Sequence, residues 1–261
     1  MAHEFEEDFM RANALRHVLL LAYRVSIGDT VRDDYASCFV VEIRGAWILV
    51  TAGHVILDLR RLKLAGASLT MFQLIDAAAG AGEPAYPIAM DVEAWAAIDD
   101  TSTGLDLAAL VINDLSVMAL RAANVLPIGA SAIVQAEFSD AHQLVLVGAP
   151  AERFNIGTGG GQMRMSLIPI VEAQPSDDMP LAGTSVLGQI VGDPEEAELR
   201  VQSVKGMSGC PVFMVQTGAP ESQRRYWAVG VQSSWNARRR VVRISQLQPL
   251  VEQLERHFGP E

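Results

Sequence analysis

The fold is decided most directly by residues 47–55, which read WILVTAGHV. The run from Trp47 to Thr51 is apolar or β-branched and is typical of a buried strand. Small residues follow it and lead to His54, at the start of a predicted helical turn. Taken alone, a histidine at the end of a strand is more often structural than catalytic, so its meaning depends on what else the chain can bring to it.

An aspartate stands at the start of a second buried strand. Residues 104–110 read GLDLAAL, which places Asp106 directly before an apolar run. An aspartate in this position is commonly a turn residue, and Asp99 or Asp100 could be proposed in its place. Only the Leu-Ala continuation favours Asp106 as the partner of a histidine.

A serine flanked by glycines precedes a third strand. Residues 205–212 read KGMSGCPV, and the glycines on either side of Ser208 let the backbone turn sharply. A serine hydroxyl is a poor nucleophile until a neutral imidazole takes its proton, and a carboxylate behind the imidazole fixes its tautomer. We therefore predict that Ser208 is the nucleophile, that His54 is the general base and that Asp106 orients it. The N–H groups of Gly206 and Ser208 could then form an oxyanion hole.

The three segments resemble the motifs of the trypsin-like, chymotrypsin-fold serine peptidases. Residues 51–54 match the family's Thr-Ala-Ala-His motif with one small residue exchanged, and residues 106–108 match its Asp-Leu/Ile-Ala motif. Residues 206–211 match four of the six places of its Gly-Asp/Asn-Ser-Gly-Gly-Pro motif. The resemblance implies an all-β chain of two six-stranded antiparallel Greek-key β-barrels with a C-terminal helix. It also implies a serine endopeptidase with restricted targets.

A later strand extends the resemblance and bears on specificity. Residues 226–235 resemble the family's strand that lines the specificity pocket and pairs with substrate, so Ser233 and Trp235 are predicted substrate-binding residues. The bulk of Trp235 would narrow the pocket. Gln202 corresponds to the pocket floor, and its neutral amide argues against cleavage after Arg or Lys.

Two exchanges in the serine motif depart from the family. Met207 stands where trypsins carry an aspartate that pairs with a newly cut N-terminus, so activation by that ion pair is not expected. Cys210 replaces a glycine and is predicted to pack in the core. Without disulfides or an activation peptide, the closest likeness is to the bacterial, HtrA-like branch, with no PDZ domain expected after residue 258.

The chain divides into four predicted parts. Residues 1–16 form an N-terminal helix or a frayed arm, and 17–120 form the first barrel with His54 and Asp106. Residues 121–244 form the second barrel with Ser208, and 245–261 form a C-terminal helix and tail. The strands are predicted at about 17–27, 36–43, 46–51, 69–75, 85–91, 107–112, 125–128, 143–148, 163–171, 185–191, 198–203, 211–215, 226–234 and 240–244, with 113–124 as a connector.

Composition restricts the partners and the compartment. A formal net charge of -11 argues against nucleic acid or an anionic membrane as the main partner. Cys38 and Cys210 are the only cysteines, and the first residues are acidic where a secretory signal would be basic, so a reducing, cytoplasmic location is predicted. The expected partners are a protein or peptide substrate and an optional activating protein. The scattered histidines show no ligand spacing, so neither a metal nor a cofactor is predicted.

Several alternatives stay open at this point. The glycine-rich residues 157–161 lack the ending of a phosphate-binding loop and favour a hairpin loop. The basic cluster at Arg238, Arg239, Arg240 and Arg243 fits a solvated hairpin tip better than a docking site. The chain could also be a catalytically silent binding module with the same fold, or a latent peptidase that a partner activates.

Overall fold

A computed structural model describes residues 7–76, 86–151, 154–155, 162–163, 165–191, 204 and 206–259. Strands predominate in these residues, and the predicted all-β class with a C-terminal helix is confirmed. The predicted strand at 198–203, the glycine-rich residues 157–161 and Gln202 lie outside the described residues.

The first half of the chain forms one sheet. Its strands are β1 (Val18–Ile27), β2 (Thr30–Ile43), β3 (Ala46–Thr51), β4 (Ser68–Asp76), β5 (Tyr86–Pro87), β6 (Ala96–Asp100), β7 (Leu105–Val111) and β8 (Ile128–Gly129). The order is β5-β4-β1-β2-β3-β7-β6, and β8 pairs with β2 in parallel. The sheet therefore has eight strands where six were predicted; β6 was missed, and β8 was assigned to the second half.

The second half contains a closed barrel. Its strands are β9 (His142–Gly148), β10 (Phe154–Asn155), β11 (Gln162–Met163), β12 (Ser166–Glu172), β13 (Ser185–Ile190), β14 (Pro211–Gln216), β15 (Tyr226–Asn236) and β16 (Val241–Gln246). Six of them close in the order β12-β13-β16-β15-β14-β9, and the pairings are antiparallel. The six-stranded antiparallel barrel predicted for this half is present, while β10 and β11 pair with each other.

Four helices accompany the strands: α1 (Glu7–Ala14), α2 (Gly53–Leu64), α3 (Asp114–Ala122) and α4 (Gln248–Phe258). The first and last were predicted. The connector at 113–124 contains α3, whose first turn is capped by the side chain of Asn113, which accepts from the N–H of Ser116. No helix among the described residues is long and apolar enough to cross a membrane.

The hairpin of β2 and β3 carries the chain to the histidine segment. Arg44 and Gly45 link the two strands with φ of 52° and 79°, and Ile43 pairs with Ala46. Positive φ at both central residues is the mark of a type I′ turn, whose twist matches that of paired strands. Every residue of β3 after Ala46 is buried, as the apolar run predicted.

A large apolar cluster joins the two halves. It contains Val18 and Phe39 from the first sheet together with Phe213 and Val231 from the barrel, and all four residues are fully buried. Burying a side chain of this size contributes roughly 1.5–3 kcal/mol each. The segments at 53–54, 104–106 and 206–210 lie beside this junction, where residues from both halves can meet.

Candidate active site

Gly53 is the residue that lets His54 follow directly on β3. A Cβ at position 53 would collide with the backbone carbonyl oxygens of Ile98 in β6 and Leu107 in β7. Glycine is therefore required at position 53 because the backbones of β6 and β7 leave no room for a Cβ, and not because of a positive φ. The chain can pass under these strands and begin α2 with His54 in its first turn.

The carboxylate of Asp106 holds His54 at two points. Its Oδ1 accepts the backbone N–H of His54 at 2.8 Å, and its Oδ2 accepts from ring Nδ1 at 2.6 Å. The backbone N–H belongs to the first turn of a helix, where such groups lack a partner within the helix. Asp106 thus caps α2 from another strand and at the same time fixes the ring in the tautomer that leaves Nε2 free to accept a proton.

Ser245 of β16 supports Asp106 from the other half of the chain. The backbone N–H of Asp106 donates to the Ser245 hydroxyl at 3.0 Å, and this hydroxyl donates to the carbonyl oxygen of Gly104 at 3.0 Å. Ser245 has no exposed surface. This role of Ser245 could not be predicted, because a serine in a strand carries no motif of its own.

The other two aspartates have different roles from Asp106. The carboxylate of Asp100 accepts from the backbone N–H and hydroxyl of Ser102 and from the hydroxyl of Thr103, which is the pattern of a turn residue. Asp99 pairs with Asp106 across the β6–β7 ladder and is exposed. Neither one contacts the His54 ring through a hydrogen bond, so the alternatives to Asp106 are removed.

Burial and charge act in opposite directions on the His54 ring. Burial lowers its pKa, but the hydrogen bond to Asp106 and the charges of Asp106, Asp58 and Asp99 outweigh it, so the pKa lies above the ordinary value of 6.5. The side chain is 28% exposed. The ring is therefore partly open to solvent and is a stronger base than a free histidine.

Ser208 sits in a tight turn between β13 and β14. The N–H of Cys210 donates to the carbonyl oxygen of Met207 at 2.8 Å, with Gly209 at a φ of +91°. This φ at the third position of the turn favours glycine. A Cβ at Gly209 would also collide with the side-chain oxygen of Thr51 and a backbone carbonyl oxygen in β2. Ser208 is therefore the second residue of a tight turn that packs against β3, the strand that precedes His54.

The segment before Ser208 makes a second turn. The N–H of Met207 donates to the carbonyl oxygen of Val204 at 3.0 Å, and Gly206 has a φ of +86°. The hydroxyl of Ser37 donates to the carbonyl oxygen of Gly206 at 3.4 Å. The backbone N–H groups of Gly206 and Ser208 donate to no other described residue. The oxyanion-hole prediction requires donors that, among the described residues, have no acceptor, and these two N–H groups meet that requirement.

Met207 and Cys210 anchor this segment by packing. Both are fully buried in the apolar cluster of the barrel. The Cys210 sulfur fills the space beside Gly148, where a Cβ would overlap it, and burial raises the pKa of its thiol to about 12. A buried thiol with such a pKa is inert. The segment that carries Ser208 is therefore anchored by apolar packing.

Three of the predicted site residues line one cavity of about 220 Å³, namely His54, Asp106 and Ser233. Ser208 is half-buried and does not line it. No hydrogen bond joins the Ser208 hydroxyl to His54, although both residues are described. Catalytic hydrogen bonds are often long in the absence of substrate and tighten when substrate binds.

The remaining predicted substrate-binding residues are placed differently. Trp235 is half-buried, packs against the apolar cluster of the barrel and does not line the His54 cavity. Its backbone pairs with Val242 of β16. Gln202 lies outside the described residues, so its place at a pocket floor stays a prediction.

Among the residues that the structure describes, no group of three or more His, Cys, Asp or Glu is arranged to hold a metal ion. The arrangement offers a partly exposed base on a fixed carboxylate and a serine in a tight turn, with backbone donors nearby that have no acceptor among the described residues. These are the components that nucleophilic catalysis at a carbonyl carbon requires.

Three solved protease structures are similar to this chain. The Rv3671c protease from M. tuberculosis, in its active form, is 13% identical with a TM-score of 0.50, over 97% of this chain and 87% of that one. The thermostable serine protease AL20 from an extremophilic microorganism is 14% identical with a TM-score of 0.47, over 92% and 96%. Protease Anisep from Arthrobacter nicotinovorans is 15% identical with a TM-score of 0.45, over 88% and 90%.

The similarity to the Rv3671c protease, at 13% identity, shows the fold alone. The predicted chymotrypsin-like fold is confirmed, whereas the predicted likeness to the HtrA-like branch is not supported. No protein-family model and no curated protein sequence matches the chain.

Proposed function

We propose that the chain is a serine endopeptidase that hydrolyses peptide bonds of selected protein substrates through an acyl-enzyme on Ser208. The observation that carries the proposal is the pair of hydrogen bonds from His54 to Asp106, at 2.6 and 2.8 Å. A buried structural histidine pairs both of its ring nitrogens, as His17 does, because a neutral imidazole has one donor and one acceptor. Here one carboxylate fixes both the ring and the backbone of the same histidine and leaves the other ring nitrogen free, as a general base requires.

In the proposed reaction, the hydroxyl oxygen of Ser208 attacks the substrate carbonyl carbon while Nε2 of His54 takes its proton. The resulting oxyanion accepts hydrogen bonds from the N–H groups of Gly206 and Ser208. Nε2 then gives the proton to the leaving amine as the C–N bond breaks. Water, deprotonated by the same nitrogen, cleaves the acyl ester and restores the serine. Asp106 stabilises the imidazolium at each proton transfer without being protonated itself.

Ser208 must move toward His54 when substrate binds, because the two residues are not hydrogen-bonded to each other. The Ser208 side chain can turn about its Cα–Cβ bond, whereas Asp106 and Met207 hold His54 and the turn in place. A substrate carbonyl oxygen bound by the N–H groups of Gly206 and Ser208 would favour the arrangement in which the Ser208 hydroxyl donates to His54.

Specificity is proposed to come from the strand carrying Ser233 and Trp235 and from Gln202, whose neutral amide disfavours Arg or Lys directly before the cleaved bond. A reducing compartment, and hence the cytoplasm, is proposed because Cys38 and Cys210 are both buried and free.

A fluorophosphonate probe tests the proposal, since it reacts only with an activated serine. We expect stoichiometric labelling of the folded protein and its loss in Ser208→Ala. The exposed serine of Ser222→Ala is the matched control and should label like the parent chain. Labelling that persists in Ser208→Ala, or none in the folded protein with or without a bound peptide, would contradict the proposal.

A second candidate is a latent or silent member of the fold that acts by binding. The missing hydrogen bond between Ser208 and His54 favours it. A latent peptidase would label only after a partner protein is added. A pure binding module would retain its full cellular function as Ser208→Ala, so a complementation assay with this variant separates the two.

A further inference from the structure

The helix α3 exposes a stripe of apolar side chains to solvent. Leu115 is 73% exposed and Met118 is 59% exposed, and Ala122 is exposed as well. Spacings of three and four residues place these side chains on one face of the helix. Another face of α3, with Leu120, is buried in the apolar cluster of the first half. The stripe is therefore additional to the face that the fold already covers.

The C-terminal helix α4 shows the ordinary arrangement for comparison. Its exposed residues are all polar, namely Glu252, Gln253, Glu255, Arg256 and His257. A helix with one apolar face on the core and a polar face toward water needs no further contact. In α3 both the covered face and the exposed face are apolar. Contiguous exposed apolar side chains mark an interaction surface.

Two opposite charges lie along one edge of the stripe. Asp114 directly precedes Leu115, and Arg121 directly precedes Ala122, so the two charged residues occupy the same edge about two turns apart. Both are exposed, and neither forms an ion pair with another described residue. The guanidinium of Arg121 lies over the ring of Trp47, 5.1 Å from its centre. A guanidinium stacked on a ring still presents N–H donors at its edge.

We infer that α3 is the contact surface of a homodimer, in which the α3 helices of two copies pack antiparallel about a two-fold axis. In such a pair, the same edge of each helix meets the same edge of the other in the reverse direction. Asp114 of each copy then lies opposite Arg121 of the other, so the pair forms two ion pairs. Leu115 of each copy packs against Met118 of the other and covers the stripe. The inference does not depend on the proposed function.

Charge complementarity identifies a second copy as the occupant of the stripe. The surface that covers the stripe needs a cation opposite Asp114 and an anion opposite Arg121, and α3 itself supplies this pattern when it is turned end to end. A parallel pair places like residues at the same height and forms neither ion pair. The net charge of -11 repels copies of the chain from each other, but the two charges beside the stripe cancel. The stripe is therefore a surface where two copies can meet.

The size of α3 sets the strength of the contact. The helix has nine residues and is therefore about 14 Å long. An interface of this length belongs to the class below about 1,200 Å², which is typical of weak and reversible association. We therefore expect monomer and dimer in equilibrium, with a Kd in the micromolar to millimolar range.

Sedimentation equilibrium tests the dimer. The chain is measured from about 1 μM to about 1 mM in about 0.15 M salt, where the repulsion between distant charges is screened. The average mass should rise with concentration from that of one copy toward that of two. Leu115→Lys should remain monomeric throughout this range, because it places a charge in the centre of the contact. Its circular dichroism should equal that of the parent chain, since Leu115 is exposed.

Charge reversal tests the antiparallel pairing. Asp114→Arg and Arg121→Asp should each weaken self-association by about tenfold, because two attractive contacts become two repulsive ones. An equimolar mixture of the two variants should associate about as tightly as the parent chain, because both ion pairs form again between unlike chains. Asp29→Arg is the matched control. It changes the net charge as Asp114→Arg does but lies in the exposed β1–β2 turn, so the Kd should stay that of the parent chain.

Each other outcome overturns the inference. A parent chain that is monomeric up to the highest concentration would show that a second copy does not cover the stripe. A dimer that persists in Leu115→Lys would use another surface. A mixture of Asp114→Arg and Arg121→Asp that associates no better than either variant alone would exclude the antiparallel pairing. None of these outcomes bears on labelling of Ser208, so the dimer and the peptidase are tested separately.

Discussion

Asp106 accepts two hydrogen bonds from His54, one from the backbone N–H that starts α2 and one from ring Nδ1. The same carboxylate therefore fixes where the helix begins and which ring nitrogen carries the proton. A single side chain couples a structural role, capping a helix, to a catalytic one, orienting a base. The two roles can be separated by substitution, because an amide has one acceptor oxygen where a carboxylate has two.

Asp106→Asn should lower the rate of fluorophosphonate labelling by about 10⁴-fold, the loss seen when this position of a triad becomes an amide. An asparagine has one acceptor oxygen, so one of the two His54 N–H groups loses its hydrogen bond. If the new NH₂ group faces ring Nδ1, it favours the tautomer in which Nδ1 has no proton. The rate is measured by gel fluorescence under pseudo-first-order conditions.

The fold should survive this substitution, because the core clusters do not depend on the carboxylate. Circular dichroism should be unchanged, with a fall in unfolding free energy of about 1–3 kcal/mol from the lost hydrogen bond. An Asp106→Asn protein that is folded and labels at the rate of the parent chain would show that Asp106 does not orient the base.

The labelling rate should rise with pH, because only neutral His54 can accept the serine proton. Burial lowers the pKa of His54, but the Asp106 hydrogen bond and the neighbouring carboxylates raise it above 6.5, so the midpoint should lie above that value. Asp58→Asn removes one of these charges and should move the midpoint to lower pH. A midpoint below 6.5 in the parent chain, or one that rises in Asp58→Asn, would contradict this account.

Much of the fold could be predicted because strand patterns are local. β3 and β15 are apolar runs that the sequence marks clearly, whereas β6 reads AAIDD and carries no such mark. Its conformation depends on pairing with β7, and such pairing is a tertiary effect that overrides weak local preference. The α3 helix was missed for a related reason, since its first turn depends on a capping side chain.

The site residues divide in the same way. His54, Asp106 and Ser208 stand in short motifs, so local sequence points to each of them. Ser245 acts on Asp106 from a strand far along the chain and has no motif. The need for glycine at position 53 could not be predicted either. A Cβ there would collide with the carbonyl oxygen of Ile98, and Ile98 belongs to β6, the strand that was missed.

Gly53→Ala should destabilise the fold by about 1–3 kcal/mol, the usual cost of forcing extra atoms into a closed space. The added Cβ would collide with the carbonyl oxygens of Ile98 and Leu107. Gly129→Ala is the matched control, since Gly129 has a φ of -67° and open space around its Cβ position. It should be neutral or slightly stabilising. Equal urea midpoints for the two variants would show that the contact at position 53 is easily relieved.

His17 is a second buried histidine, with a role in stability. Its Nδ1 donates to the carbonyl oxygen of Leu126 at 2.7 Å, and the Tyr226 hydroxyl lies 2.8 Å from Nε2. A carbonyl oxygen can only accept, so Nδ1 carries the proton and Nε2 accepts from the tyrosine. Burial lowers the pKa of His17, although the Leu126 hydrogen bond opposes this.

Stability should therefore fall as the pH drops below 6.5. Over the window between 6.5 and the lower folded-state pKa of His17, the unfolded chain binds a proton at this residue and the folded protein does not. Urea unfolding at about pH 8, 6.5 and 5.5 measures the effect, and His17→Gln should flatten the dependence in this window. Tyr226→Phe should keep the pH dependence but lower stability by about 1 kcal/mol at each pH, because one buried hydrogen bond is lost. The sign is opposite to that of His54, whose raised pKa adds stability below pH 6.5 that is lost as the pH rises through its folded-state pKa. A His17→Gln protein with the pH dependence of the parent chain would place the titrating group elsewhere.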